Sequence, residues 1–235
     1  MNKNSNTYTV IYISCIVVAV GAVLALAAMV LKPLQQRNAD EDKMKQILAS
    51  VHITPDKDNV MDVFDKYITA QHVVNIGGKV VGSDAFGMDV SAQTKIADAS
   101  RRQLPIYECT LPNGDTKYII PAYGAGLWGP IWGYIALDAD GSTIYGAYFS
   151  HQGETPGLGA EIQEPWFAAQ FEGKQLFHGS DFAPILVLKK GRKPIGGADY
   201  VDAVSGGTIT SKGVSAMLDD CLRPYKAYLE SLRNK

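Results

Sequence analysis

Residues 104–124 read LPIYECTLPNGDTKYIIPAYG. Two runs rich in β-branched and aromatic residues flank Asn113-Gly114, the commonest short hairpin turn. The stretch predicts two antiparallel strands, and its plan repeats at once. Residues 131–151, IWGYIALDADGSTIYGAYFSH, place Asp140-Gly141 at a tip between alternating Ile, Tyr and Ala. Upstream, HVVNIGGKVVG (72–82) reads as a strand interrupted by a Gly-Gly turn. Downstream, EPWFAAQFEG (164–173) predicts a helix with Pro165 in its first turn and Gly173 beyond its end. PILVL (184–188) and ADYVDAV (198–204) are further strand candidates. From about Val214 the apolar positions Val214, Met217, Leu218, Cys221, Leu222, Tyr225, Tyr228 and Leu229 share one face of a helix that Pro224 bends or splits. Strands in hairpins, with helices grouped before and after them, indicate an α+β fold: antiparallel strands flanked by helices.

The N-terminus is of another kind. Thr9 to Leu31 is 23 residues without a charge. At 1.5 Å per residue it spans about 35 Å, enough to cross a bilayer core of ~30 Å with some tilt. Ala25-Leu26-Ala27 resembles a signal-peptidase site, but the apolar run is longer than a signal core of roughly 7–15 residues and continues past it. Residues 9–31 are therefore expected to form a single transmembrane helix. Two short helices, within 40–51 and 58–68, are expected to make residues 32–70 a juxtamembrane helical linker to a domain at 71–235. Lys3 precedes the span, while Lys32 and Arg37 follow it, so the positive-inside count leaves the orientation open.

Composition excludes several classes. The formal net charge is −2 over 235 residues, and Lys and Arg are scattered, which argues against nucleic acid. Cys15, Cys109 and Cys221 form no CxxC pair, and His52, His72, His151 and His178 include no i,i+4 pair, so no metal site is expected. Whether Cys109 and Cys221 pair is open at this level.

GAGLWG (124–129) matches the dinucleotide-binding GxGxxG, but that motif needs its last glycine to open a helix. Here Pro130 and a strand pattern follow, so the nicotinamide reading fails. GVSAM (213–217) lacks the second glycine of a serine-hydrolase elbow. What remains is a bare loop carrying Leu127 and Trp128, either a plug for the domain's own core or a wall for a flat aromatic ligand. HQGETPGLG (151–159) follows a strand. Glu154 and Thr155 offer an acceptor and a hydroxyl, Gly157 and Gly159 permit close backbone approach, and Leu158 is the apolar group between them. A tight Pro-Gly turn before a helix is the plainer reading of that loop.

DAVSGGTITSKGV (202–214) packs four hydroxyls and three glycines into thirteen positions ahead of the expected helix. Asp202, Ser205, Gly206, Thr208 and Thr210 fit D-x-x-[ST]-G-x-[ST]-x-[ST]. Gly206 and Gly207 leave amides accessible, and a helix start adds unpaired N–H groups, which together make a phosphate seat. A helix cap by Thr210 or Ser211 explains one hydroxyl but neither the other three nor the glycine pair.

This stretch resembles the flavinylation motif of the FMN-binding domain family, D-x-x-[ST]-G-A-[ST]-x-[ST], with Gly207 in place of the usual alanine. ETPGLG and GLWGPIWGY are also similar to family motifs. The tryptophan-bearing GLWGP is more like the family's branch in sodium-translocating NADH:quinone reductases than its branch in Rnf complexes. The resemblance implies an electron-carrying subunit without its own NADH site, with FMN attached by a phosphodiester to Thr210. It implies that Ser205 and Thr208 position the phosphate arm beside Gly206 and Gly207, and that Asp202 takes part in recognition by a flavin transferase. Leu127, Trp128 and Leu158 would hold the ring, with Glu154 and Thr155 at its polar edge and Gly157 and Gly159 close by. Partners would be the other membrane and peripheral subunits of the complex. Residues 1–8 would be cytoplasmic and the FMN-binding domain periplasmic. No sodium site is assigned, because Thr9–Leu31 contains no carboxylate. The rival class is an anchored extracytoplasmic binding module with no redox cofactor, in which GLWGPIW docks a partner.

Overall fold

The structure is a computed structural model that describes residues 6–194 and 196–234. In chain order, helix α1 (Asn6–Ala49) and helix α2 (Val60–Tyr67) precede strands β1 (Ile68–Val74) and β2 (Val80–Gly82), then helix α3 (Val90–Thr94). Strands β3 (Leu104–Thr110), β4 (Thr116–Ala125), β5 (Pro130–Leu137) and β6 (Ile144–His151) follow. Then come α4 (Pro165–Ala169), the short strands β7 (Phe177–His178), β8 (Asp181–Phe182), β9 (Leu186–Leu188) and β10 (Tyr200–Asp202), and finally α5 (Thr208–Leu222) and α6 (Lys226–Arg233).

The six longer or earlier strands form one sheet in the order β2-β1-β3-β4-β5-β6, and every neighbouring pair is antiparallel. Both hairpins read from the sequence are present, with Gly114 and Gly141 at positive φ in their turns. The sheet is buried on both faces, which is why its strands carry long apolar runs rather than strict alternation. On one face Ile106, Ile120, Ile131 and Ile135 pack with Phe167, Val214, Leu218 and Leu222. On the other, Tyr107, Cys109, Ile119 and Tyr134 pack with Ile47, Leu48 and Phe64. β9 and β10 form a separate parallel pair beside α5. This is the α+β arrangement expected.

Three boundaries differ from the reading above. α1 is a single helix from Asn6 to Ala49 that continues through Pro33. The charged stretch within the expected helical linker carries i,i+4 pairs, Gln36 to Asp40 and Arg37 to Glu41, both at 2.9 Å, which support helix. Residues from Met44 onward belong to the compact body rather than to a linker. Ile47, Leu48 and Val51 are buried, and Trp132 Nε1 donates to Gln46 Oε1 at 2.9 Å. The chain divides into a unit ending at Lys43, whose apolar helix is long enough to cross a membrane, and a unit beginning at Met44. Finally, α5 starts at Thr208 and not near Val214, so the hydroxyl-rich stretch forms its first turn. The sequence signal failed there because Thr208, Thr210 and Ser211 are weak helix formers. Pro224 does split the C-terminal helix, through a short 3-10 turn at Arg223–Tyr225. Cys109 and Cys221 are free thiols in the two different cores, so they do not pair.

Candidate functional site

Three segments meet at the start of α5. The first is the loop Gly126–Gly129, where β4 turns into β5 and the Gly126 N–H donates to the Gly129 carbonyl at 2.8 Å. The second is the loop after β6, residues 152–158, which runs into a 3-10 turn at Gly159–Gln163. The third is the turn from Ser205 through the first residues of α5.

Glu154 ties them together. One carboxylate oxygen accepts the N–H of Trp128 at 2.8 Å, and the other accepts the Thr210 hydroxyl. Its own N–H donates to Nδ1 of His151 at 3.1 Å. Glu154 is 4% exposed and Thr210 1%. The acid foreseen at a ligand's polar edge is thus engaged with the very hydroxyl foreseen as the attachment point.

The glycines serve this convergence. A Cβ on Gly126 or Gly159 would strike the Glu154 side chain, and one on Gly206 would strike Leu158. At Gly207 it would lie 3.2 Å from Gly159 Cα, the Leu158 carbonyl and Val204. The bare backbone lets the two loops and the helix start approach one another. Gly206, at φ +77°, also turns the chain into α5. Gly157, at φ +74°, has open space around it and serves its own turn.

The four hydroxyls divide. None caps α5: Gly207 occupies the N-cap position without a side-chain bond. Ser211 is buried, its Oγ accepting the Val204 N–H at 3.1 Å. Ser205 and Thr208 are exposed and line a groove of about 830 Å³. Lys189, Lys190, Arg192 and Lys212 line it too, with Asp219 as its acid. Thr155 is exposed, and its carbonyl accepts the N–H groups of Leu158 and Ala160. Leu127, Trp128 and Leu158 are 47%, 68% and 43% exposed, so the first loop does not plug the core.

Two contributors escaped the sequence reading. Gln170 pins Asp202 by its backbone, accepting its N–H at 3.0 Å and donating to its carbonyl at 3.4 Å. His151 positions Glu154, and its Nε2 is buried without a hydrogen-bond partner among the described residues. Its place three residues before Glu154 in HQGE was the available signal for it.

Similarity to known proteins falls on this site. Residues 126–223, from the first loop through α5, match the model of the FMN-binding domain family. NqrC of the Na(+)-translocating NADH-quinone reductase of Vibrio vulnificus is 33% identical over 212 residues, covering 84% of this chain and 83% of that one. The chain belongs to the NqrC family of the Na(+)-translocating NADH-quinone reductases. The crystal structure of the family member from Parabacteroides distasonis superposes with a TM-score of 0.78 at 45% identity, covering 85% of this chain and 96% of that one. NqrC of Shewanella oneidensis superposes at 0.67 with 26% identity, covering 84% and 100%.

FMN is the cofactor of this NqrC-family domain. Its chemistry suits the residues present. A phosphate needs donors, and the first turn of α5 offers amides that no side chain caps, beside the exposed hydroxyls of Ser205 and Thr208. Four cationic side chains line the adjoining groove. A flat apolar ring needs a stacking face, and Trp128 and Leu158 present exposed apolar surface on the two loops joined to Thr210 through Glu154.

Proposed function

We propose that this chain is the electron-relay subunit of a Na(+)-translocating NADH:quinone reductase, with FMN held by a phosphodiester to Thr210. The observation that carries the reading is the meeting of three separately recognised segments at one buried pair, Thr210 and Glu154. FMN, when bound, accepts and passes electrons singly or in pairs. The chain's residues supply position and electrostatics. Thr210 fixes the cofactor's place in the fold. Ser205, Thr208 and the amides around Gly206 and Gly207 hold the phosphate arm, and Leu127, Trp128 and Leu158 wall the ring and exclude water. Thr155, Gly157 and Gly159 complete the polar edge. Asp202, fixed through Gln170, marks the turn for a flavin transferase. Because Thr210 is buried with the Gly159 backbone against its hydroxyl, attachment requires the glycine end of the Glu154–Gly159 loop to yield while Glu154 stays in contact.

The NADH-oxidising and quinone-reducing sites belong to other subunits of the complex, which are this chain's membrane and peripheral partners. Residues 9–31 of α1 cross the inner membrane once, with residues 1–8 in the cytoplasm and the FMN-binding domain in the periplasm. Attachment by a covalent bond suits that side, where lost FMN is not readily replaced.

The test is in-gel flavin fluorescence of denatured protein co-expressed with a flavin transferase. Wild type and Thr210→Ser are expected to fluoresce, and Thr210→Ala to be dark with an unchanged circular dichroism spectrum. A fluorescent Thr210→Ala band would refute the attachment site.

A further inference from the structure

A threonine hydroxyl is a weak nucleophile and needs a base within hydrogen-bond reach to react at phosphorus. Thr210 has a carboxylate in that place. Both partners of the Glu154 side chain, the Thr210 hydroxyl and the Trp128 N–H, are donors, so the carboxylate is held as an acceptor. The Gly126 and Gly159 backbones leave it room on two sides, and His151 anchors the segment from which it projects. Packing accounts poorly for such an arrangement. A nearly buried acid that receives a hydroxyl proton donor is costly to keep where an apolar contact would serve.

We propose that Glu154 is the general base for flavin attachment, so that the acceptor chain brings its own base and the transferase has only to present FAD. The proposal rests on Thr210 being the attachment point. As the Thr210 oxygen forms its bond to the FMN-side phosphorus of FAD, its proton passes to Glu154. The phosphoanhydride bond breaks, and the bridging oxygen leaves with AMP. No electrons change hands, and the proton returns to water when the loop opens. Thr210 then no longer donates, and Glu154 faces a phosphodiester anion, so the contact that joined the loop to α5 is lost on modification.

The test uses the full-length chain in detergent with purified flavin transferase and FAD. It follows covalent flavin by in-gel fluorescence and by intact mass. Glu154→Gln keeps the side chain's size and an acceptor for the Trp128 N–H but cannot take a proton. Its rate of incorporation is expected to fall about 100-fold or more. Glu154→Asp keeps a carboxylate and is expected to outpace Gln. Glu154→Ala is expected to be slow and to recover about tenfold or more with added formate, a rescue that a purely structural role would not produce. A Gln variant within about threefold of wild type overturns the proposal. So does an Asp variant no faster than Gln, or an Ala variant indifferent to formate. A wild-type chain that takes no flavin, or takes it away from Thr210, overturns the attachment reading instead.

Discussion

Gly206 and Gly207 sit side by side yet are bare for different reasons. Gly206 has φ +77°, and a methyl group there would meet Leu158. Gly207 has an ordinary φ of −99°, and its nearest neighbours would stand 3.2 Å from an added Cβ. Gly206→Ala is therefore expected to lose about 1–2 kcal/mol in thermal unfolding and to take up less flavin. Gly207→Ala, which restores the alanine usual in the motif, is expected to stay within about 1 kcal/mol of wild type and to be modified normally. Equal behaviour of the two would contradict this assignment of roles. At this scale the sequence was readable in kind but not in detail. It marked Thr210, Glu154, Leu127 and Trp128 as belonging to one site. It could not show that Glu154 reaches Thr210, because the two are 56 positions apart and meet only once the loop after β6 has folded against the start of α5. Gln170 was hidden for the same reason, at the end of α4 in a stretch whose pattern spoke only of packing.

Among the elements, the hairpins were legible because turn chemistry is local: Gly114 and Gly141 take the positive φ their turns need, after Asn113 and Asp140. The start of α5 was not, because its first turn is made of residues that prefer caps and turns, and tertiary contacts hold it helical. Those contacts include the Ser211 and Ser215 hydroxyls, which accept the Val204 and Val187 N–H groups at 3.1 and 3.3 Å. The packing of α5 and the sheet also governs the thiols. Burial pushes Cys109 and Cys221 up from 9.0 to about 11. A raised thiol pKa means that the unfolded chain holds fewer protons once pH passes 9.0. The stability these groups contribute is thus complete below about pH 9 and is lost progressively towards about 11. Buried Tyr107 and Tyr134 are raised by burial as well and act in the same direction at higher pH. Urea denaturation midpoints are expected to fall from about pH 9 to about pH 11. Thiol reagents at about pH 8 are expected to label Cys109 and Cys221 only after unfolding. Rapid labelling of both in the folded chain would contradict the burial.

At the scale of the whole molecule, the chain is a body beginning at Met44 and an exposed apolar helix before it. The sequence places the body's beginning near residue 71, because the period changes from helix to strand there and the short helices before it read as a link to the anchor. The spacing of Ile47, Leu48 and Val51 marks them as a helix's core face, and they are buried, but that this core is the domain's own appears only in three dimensions. The full chain is expected to sediment with membranes and to be digested by protease added outside spheroplasts, whereas residues 44–235 alone remain soluble and folded. Protection of the body from external protease would reverse the proposed orientation. The central claim, that one oxygen on Thr210 carries the redox group of this relay, is tested most directly by peptide mass mapping of mature protein from cells containing a flavin transferase. The account predicts that the peptide spanning Asp202–Lys212 carries one FMN less one water, with fragmentation placing it on Thr210. An unmodified peptide, or FMN on Ser205 or Thr208 instead, would contradict it.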